Sequence, residues 1–188
     1  MKKIKGYIKT REFAKLGIRS KEIQKLCDDR IIIKIQQGLY RQADMFLQNQ
    51  SFIDISAAYP KAVIAGLSAL FYHNLTTYIP EKVSIAVLRD SNNPKIQYPP
   101  IDVYHINPNI FGLGVTEIKE SRYKFRIYNA ERAVCDAFKF RNKIGIDMAK
   151  EAITEYMRRK DKDINKLYKM AAACRVYKVM QPWMMAII

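Results

Sequence analysis

The chain has 188 residues, enough for one mid-sized domain or two small ones, and carries a formal net charge of +15. Its 49% hydrophobic content, with 11% aromatic residues, excludes a disordered chain, and its apolar runs are too short to span a bilayer. The start MKKIKGYIK has cations but no apolar segment behind them, so we expect no signal peptide, no membrane contact and a cytoplasmic location.

The positive charge is concentrated at the two ends. Residues 1–41 contain 12 Lys and Arg against 4 Asp and Glu, a net +8, whereas residues 42–138 contain 9 of each and are neutral. Residues 139–188 contain 12 against 5, a net +7. This segregation predicts one or two surfaces that face a polyanion, and the alternative is a set of solvated lysines that serve solubility.

Two short helices are predicted first in the chain. Thr10 can cap TREFAKLG, which Gly17 would end in the left-handed conformation. Its inward residues would be Phe13, Ala14 and Leu16. Ser20 can cap the second helix, SKEIQKLCDDR, whose apolar residues are spaced three and four apart and share one face. These are Ile23, Leu26 and Cys27, so the opposite face carries hydrogen-bond donors.

A basic hairpin, IIIKIQQGLYR, follows at once. Alternation predicts that Ile33 and Ile35 face one way and Ile32, Lys34 and Gln36 the other, with Gly38 in the turn. Two helices and a two-stranded wing predict a winged helix-turn-helix, whose second helix fits the major groove of DNA. A module that contacts only proteins is the alternative, and the local charge argues against it. The expected DNA contacts are Arg19, Ser20, Lys21, Gln24 and Lys25 from the second helix or its leading turn, and Lys34, Gln36, Gln37 and Arg41 from the wing.

The remaining chain predicts a mixed α+β domain over residues 50–188, joined by a linker to an N-terminal domain of residues 1–45. Expected helices are FIDISAAY, with Phe52, Ile55 and Tyr59 inward, and GLSALFYHNL, with Leu67, Leu70 and Phe71 inward. Strands are expected at AVIA, KVSIAVL, IDVYHI, LGVTEIK and YKFRIY. Three helices follow: AERAVCDAFKFRNK capped by Asn129, MAKEAITEYMRRK capped by Asp147, and INKLYKMAAACRVYKVM, broken near Pro182. The apolar tail PWMMAII is expected to close the core.

Several segments together resemble the AbiEi family, the antitoxins of bacterial type IV toxin–antitoxin systems. The first is GYIKTREFAKLGIRSKEIQKLCDDRIIIKIQQGLYR, with the family-like turn Gly17-Ile18-Arg19-Ser20 and the wing end Gly38-Leu39-Tyr40. Three later segments are similar to the family in the same order: AVIAGLSALFYHNLT, PEKVSIAV and YNAERAVCDAFKF. One segment departs from it, since Arg30-Ile31-Ile32 stands where many members have Gly-x-Leu.

The resemblance implies a transcriptional repressor of its own operon, active in phage defence by abortive infection, that binds promoter inverted repeats through its N-terminal domain. It also implies that the C-terminal domain counteracts a nucleotidyltransferase-type toxin without forming a stable complex with it. Within the similar helix, Glu131, Arg132 and Asp136 match the family pattern Glu-Arg-Ala/Thr-x-x-Asp. Arg132 and Asp136 are four residues apart on a helix and can pair, so a structural clamp is the first interpretation and toxin antagonism the second.

A second basic surface is predicted on the C-terminal helices, to contact flanking promoter DNA or an RNA. Its alternative is a solvated face, since cations at a helix end also complement the helix dipole. Its members are Lys139, Arg141, Lys143, Lys150, Arg158, Arg159, Lys160, Lys162, Lys166 and Lys169.

Little in the sequence indicates catalysis. His73 and His105 stand apart from other metal ligands, and Cys27, Cys135 and Cys174 lack the spacing of a zinc site, so we expect structural histidines, buried thiols and neither metal nor cofactor. One enzymatic alternative remains: Asp102 on one strand and Glu117-x-Lys119 on the next would match a metal-dependent nuclease. We expect no enzymatic activity, and a stand-alone regulator with a ligand-sensing C-terminal domain is the other alternative.

Overall fold

A computed structural model of the chain describes residues 6–185, in which helices and two sheets form the predicted mixed α+β class. The predictions for the first five residues of the charged start and for residues 186–188 of the apolar tail lie outside this range. Within residues 6–185, no helix has both the length and the apolar character needed to cross a membrane.

The N-terminal part of the structure is a three-stranded antiparallel sheet with two helices. Its elements are, in chain order, β1 (Tyr7–Lys9), α1 (Thr10–Lys15), α2 (Ser20–Asp28), β2 (Ile32–Gln36) and β3 (Leu39–Gln42). The strand order is β1-β3-β2, so the chain before α1 adds a strand that periodicity did not predict. Phe13, Ile23, Ile32 and Tyr40 are buried together between the helices and the sheet.

The caps of α1 and α2 follow one pattern, displaced by one residue from the prediction. Lys9 and Arg19 precede the helices, and their backbone N–H groups donate to Glu12 and Glu22, respectively, at 2.7 Å in each case. Gly17 has the expected positive φ, +75°. In α1 only Phe13 is buried; the predictions for Ala14 and Leu16 were wrong, because this six-residue helix contacts the sheet along a single line of side chains.

The β2–β3 hairpin does not alternate as predicted. Ile32 and Ile35 are buried while Ile33 is only half-buried. The reason is an irregularity in the register between Lys34 and Gln36, which adds one residue to β2 and moves Ile35 to the inner side. Gly38 has φ +78°, as the predicted turn requires.

A five-stranded mixed sheet forms the centre of the larger part, in the order β6-β5-β4-β8-β7. Its strands are β4 (Val63–Ile64), β5 (Val83–Leu88), β6 (Ile101–Ile106), β7 (Val115–Glu120) and β8 (Tyr123–Tyr128). All of them lie within the predicted segments, except that β7 extends one residue beyond its segment. β4 is parallel to β8 and antiparallel to β5, and β5 is parallel to β6. β5 is buried on both faces, because it lies inside the sheet with side chains packed above and below it.

Helices cover this sheet. They are α3 (Gln50–Ala58), α4 (Gly66–Tyr72), α5 (Pro108–Phe111), α6 (Ala130–Lys139), α7 (Arg141–Ile144), α8 (Ile146–Arg158), α9 (Ile164–Ala173) and α10 (Tyr177–Met185). Asn129 caps α6 as predicted, by accepting a hydrogen bond from the Arg132 N–H at 2.9 Å. Asp147 was the wrong cap, because α8 begins at Ile146.

The last predicted helix is two helices. The chain leaves α9 at Arg175, which has φ +60°, and α10 then continues through Pro182. The predicted break at Pro182 was therefore wrong. Met184 of the apolar tail is buried, as expected of a segment that closes the core.

The two sheets are tied together by contacts far apart in sequence. The segment before β6 runs beside β2, where Gln36 and Ile96 form an antiparallel bridge and the N–H of Gln97 donates to the carbonyl of Ile35 at 2.8 Å. Arg41 of the central strand β3 pairs with Asp54 of α3 at 2.9 Å. The N-terminal unit (residues 6–42) is thus held at both of these places, and the Tyr7 ring also packs edge-on against Tyr123 of β8, with the ring centres 5.5 Å apart.

Candidate nucleic-acid interface

The outer face of α2 is the most polar helix face of the N-terminal unit. Ile23 is buried and Leu26 and Cys27 are half-buried, as their spacing predicts, so the helix packs through one side only. Lys21, Gln24 and Lys25 are exposed on the other side, and so are Arg19 and Ser20 at the start of the helix. Cations and amides on an exposed helix can reach phosphates and base edges in a major groove.

Three of the carboxylates on this unit accept hydrogen bonds from groups other than the cations of α2. Glu12 and Glu22 accept from the backbone N–H groups at the two helix starts, and Asp28 accepts from the Gln24 amide at 2.9 Å. The cations of α2 therefore face solvent without a carboxylate partner among the described residues. Neighbouring α1 adds Arg11 and Lys15, both exposed, which helical periodicity alone did not single out as contacts.

The residues predicted on the wing are not all available to a ligand. Gln37, at the tip, is exposed, whereas Lys34 and Gln36 are half-buried. The Gln36 amide donates to the carbonyl of Ala58 at 3.2 Å, so part of its donor capacity is used inside the molecule.

Arg41 was predicted to reach a phosphate, and its placement contradicts this. It is 4% exposed, its Nε lies 2.9 Å from Asp54 Oδ1, and its Nη1 donates to the carbonyls of Gln42 and Met45, each at 3.1 Å. Tyr7 also donates to Asp54, and the Gln50 amide does so at 2.9 Å. We name this group of Tyr7, Arg41, Gln50 and Asp54 the polar latch; Arg41 and Asp54 are buried, and the burial of Asp54, opposed by these donors, raises its pKa.

The second basic surface is divided among local ion pairs. Five of its cations pair with carboxylates, at 2.7–3.2 Å: Lys143 with Asp102, Lys150 with Asp147, Arg158 with Glu155, Arg159 with Asp161, and Lys166 with Glu131. Arg141 donates to the carbonyl of Phe138. Lys139, Lys160, Lys162 and Lys169 have no carboxylate partner within residues 6–185. The alternative of a solvated face therefore fits the five cations that form ion pairs.

Arg132 and Asp136 form a buried clamp. Their side chains are 0% and 2% exposed and meet at 2.9 Å, and the Arg132 guanidinium stacks on Tyr128 with its Cζ 4.2 Å from the ring centre. Arg132 Nη1 also donates to the carbonyls of Ile110 and Leu113, which fixes α5 and the turn after it. Burial lowers the pKa of Arg132, but the charge and hydrogen bond of Asp136, together with Tyr128 and Cys174, outweigh it, so the pKa is raised. The interpretation of this pair as a structural clamp agrees with its burial and with these contacts.

Glu131, beside the clamp, binds the C-terminal helices. It accepts from the Tyr156 hydroxyl and from Lys166, both at 3.0 Å, and is buried. It thus joins α6 to α8 and α9, and its side chain does not face solvent.

The proposed nuclease residues do not come together. Asp102 lies on β6 and Glu117 and Lys119 on β7, and these strands form opposite edges of the five-stranded sheet. Four strand spacings of about 4.8 Å separate them by about 19 Å, beyond the reach of a shared metal ion. Asp102 pairs instead with Lys143, and Glu117 with Lys124. The prediction of neighbouring strands was wrong, because β6 and β7 follow each other in the chain but not in the sheet.

The two histidines make hydrogen bonds within the molecule, and the three cysteines are at least half-buried. His73 Nε2 is 2.7 Å from the Tyr128 carbonyl, and His105 contacts Arg89 and Asn93. Cys135 and Cys174 are buried and Cys27 is half-buried. Among residues 6–185, no group of three or more His, Cys, Asp and Glu side chains is placed to hold a metal ion.

An open groove of about 700 Å³ lies between the start of α3, α4 and the chain leading to β5. Its walls combine amides with aromatic rings, and Phe71, predicted to be inward, is 42% exposed at its edge. Lys82 lies at the rim of the groove and is the charged residue among those that line it.

Comparison with models of known protein families finds no match for this chain, and comparison with curated proteins likewise finds none.

Proposed function

We propose that the chain is a DNA-binding transcriptional regulator of the AbiEi antitoxin type, whose N-terminal unit is a winged helix-turn-helix. In this proposal α2 is the recognition helix and the β2–β3 hairpin is the wing. Lys21, Gln24 and Lys25 approach base edges, and Arg19 and Ser20 at the helix start contact phosphates.

One observation carries the proposal: α2 packs through Ile23, Leu26 and Cys27 and exposes Lys21, Gln24 and Lys25 to solvent, beside the exposed carboxylate of Asp28. A helix held only by its inner face can enter a groove without losing its packing. The net charge of +8 over residues 1–41 supplies the electrostatic attraction that DNA binding requires.

The antitoxin part of the proposal rests on the resemblance of the second half to the family. In it, the C-terminal unit counteracts a nucleotidyltransferase-type toxin, and the repressor limits expression of both proteins. The burial of Glu131, Arg132 and Asp136 supports a scaffolding role for this motif. Antagonism would then use exposed residues, among which are the unpaired cations Lys160, Lys162 and Lys169.

The test of DNA binding compares Lys21→Ala with the wild type on two duplexes, the promoter of the chain's own gene and an unrelated sequence of equal length. A base contact predicts a loss of about 1–3 kcal/mol on the promoter and less on the unrelated duplex. Lys119→Ala, an exposed lysine on β7 at the edge of the larger sheet opposite β6, is the matched control. Equal losses on both duplexes would reduce Lys21 to a phosphate contact, and an unchanged affinity would refute its role.

The test of antitoxin function is co-expression with a nucleotidyltransferase encoded beside the gene. Rescue of growth by the wild-type chain and by Lys21→Ala alike would separate neutralisation from DNA binding. Growth arrest that persists with the wild-type chain would overturn the antitoxin proposal.

A regulator with a ligand-sensing C-terminal unit is a second candidate, favoured by the groove beside α4. Its volume of about 700 Å³ lies in the range of small-molecule sites, and its amides and Phe71 suit a planar polar ligand. Thermal shift with nucleosides and amino acids, compared between the wild type and Phe71→Ser, tests this alternative. A shift that persists in Phe71→Ser would place the ligand elsewhere.

A further inference from the structure

The segment between β5 and β6, residues 89–98, runs along the outer edge of β2 although it belongs to the C-terminal unit. Ile96 bridges Gln36, and the N–H groups of Gln97 and Tyr98 donate to the Ile35 carbonyl at 2.8 and 3.1 Å. This bridge is antiparallel, so residues 96–98 lie against the outer edge of the three-stranded sheet at β2.

The register brings one cation to the tip of the hairpin. Because Gln36 faces Ile96 and the two chains run antiparallel, the next residues along them, Gln37 in the hairpin turn and Lys95, are brought beside each other. Lys95 and Gln37 are both exposed. Lys95 has no carboxylate partner among residues 6–185.

The segment is ordered before any ligand arrives. At its start, the His105 ring lies 3.2 Å from the Arg89 carbonyl and 2.8 Å from Asn93 Oδ1. At its end, Ile96 packs against the main core. Lys95 is held between these two attachments, so a contact made there loses less chain entropy than one made by a free loop.

We infer that the C-terminal unit contributes to the DNA surface: Lys95 contacts a phosphate of the same duplex that the hairpin tip approaches. The N-terminal unit lacks Arg41 as a phosphate contact, because that side chain is buried against Asp54. Lys95 supplies a cation from the opposite edge of the hairpin. The duplex would then be contacted by both units, and their mutual orientation would be part of the binding site. This inference rests on the proposed DNA binding.

The experiment measures the affinity of the full chain for a fluorescein-labelled mixed-sequence 30-base-pair duplex, by anisotropy, at several salt concentrations. Loss of one phosphate contact lowers the slope of log K against log salt by about 0.9. The advantage of the wild type over Lys95→Ala should therefore shrink about 3.5-fold between 50 and 200 mM salt. Lys95→Glu should lose more affinity than Lys95→Ala.

Two further variants make the outcomes distinct. Lys119→Ala, with the same charge change on β7 at the edge of the larger sheet opposite β6, should keep the wild-type slope. Lys21→Ala reports on α2. If Lys21→Ala weakens binding and Lys95→Ala keeps the wild-type affinity and slope, the inference is wrong and the proposed function stands. If the wild type does not bind the duplex at all, the proposed function fails and the inference with it.

Discussion

Replacement of Asp54 by alanine removes the acceptor of the polar latch and should destabilise the protein by about 3–5 kcal/mol, the cost of leaving a buried charge without its partner. Arg41 and Asp54 side chains are 5% and 0% exposed and lie 2.9 Å apart. Arg41 cannot shed its proton, so the variant must keep an unpaired buried cation, and Tyr7 and Gln50 lose an acceptor as well. Domains typically have a free energy of unfolding of about 5–15 kcal/mol, so this loss is a large part of the total stability.

Urea unfolding followed by circular dichroism measures this change, with Asp44→Ala, an exposed carboxylate two residues after β3, as the control. The control should change the free energy of unfolding by less than about 0.5 kcal/mol. The double variant Arg41→Met/Asp54→Ala, which removes both charges, should be more stable than Asp54→Ala alone.

The opposite deletion, Arg41→Met, has a different pH dependence. Burial already raises the pKa of Asp54, so its carboxyl can take up a proton when the cation is gone. A carboxyl with a higher pKa in the folded than in the unfolded chain loses its contribution to stability as pH rises through the folded value. The cost of Arg41→Met should therefore be smaller at pH 5 than at pH 8. A loss below about 1 kcal/mol for Asp54→Ala, or equal costs of Arg41→Met at both pH values, would refute this account of the latch.

Three further predictions concern the backbone and one histidine. Arg30 has φ +55°, so Arg30→Gly should stabilise the protein by about 0.5–1 kcal/mol in urea unfolding, while Asp29→Gly, at φ −75°, should destabilise it. Gly114→Ala should cost about 2 kcal/mol or more, because φ is +75° and the new Cβ would stand 2.7 Å from a side-chain atom of α6; Gly112→Ala, with nothing within 4 Å, should be near neutral, and equal effects would contradict the argument. Burial lowers the pKa of His73, so stability present above about pH 6.5 should decline as pH falls through that value. The melting temperature should accordingly drop more between pH 7.5 and 5.5 in the wild type than in His73→Gln, and parallel curves would exclude His73 as the cause.

Local sequence patterns predicted most helices and strands of this chain well, but they predicted poorly which elements pack or pair with one another. The spacing of Ile23, Leu26 and Cys27 was enough to orient α2, because one helix face decides its packing. The turn glycines were equally informative, since Gly17 and Gly38 have the positive φ expected of them. By contrast, Arg30 and Arg175 end helices in the left-handed conformation without the glycine that usually marks such a position, and the break after α9 was missed for that reason.

Long-range pairing was beyond the sequence patterns. From its own strand, Arg41 has the pattern of a solvent-facing cation, because its partner Asp54 lies on a helix elsewhere in the chain. A signal was present: Asp54 stands between two buried isoleucines, Ile53 and Ile55, and a buried carboxylate requires a partner. For Asp102 and Glu117 no such signal exists, because the order of strands in a sheet depends on crossovers that local alternation does not record.

The attachments of the N-terminal unit to the larger part have a consequence for chain cleavage. Phe46, in the connection between β3 and α3, is 86% exposed and is an accessible site for a protease with aromatic specificity. A cut there would break the covalent path, yet the Arg41–Asp54 pair and the hydrogen bonds from Gln97 and Tyr98 to Ile35 would still join the two fragments. The nicked protein should therefore migrate as two bands under denaturing conditions and as one particle in gel filtration.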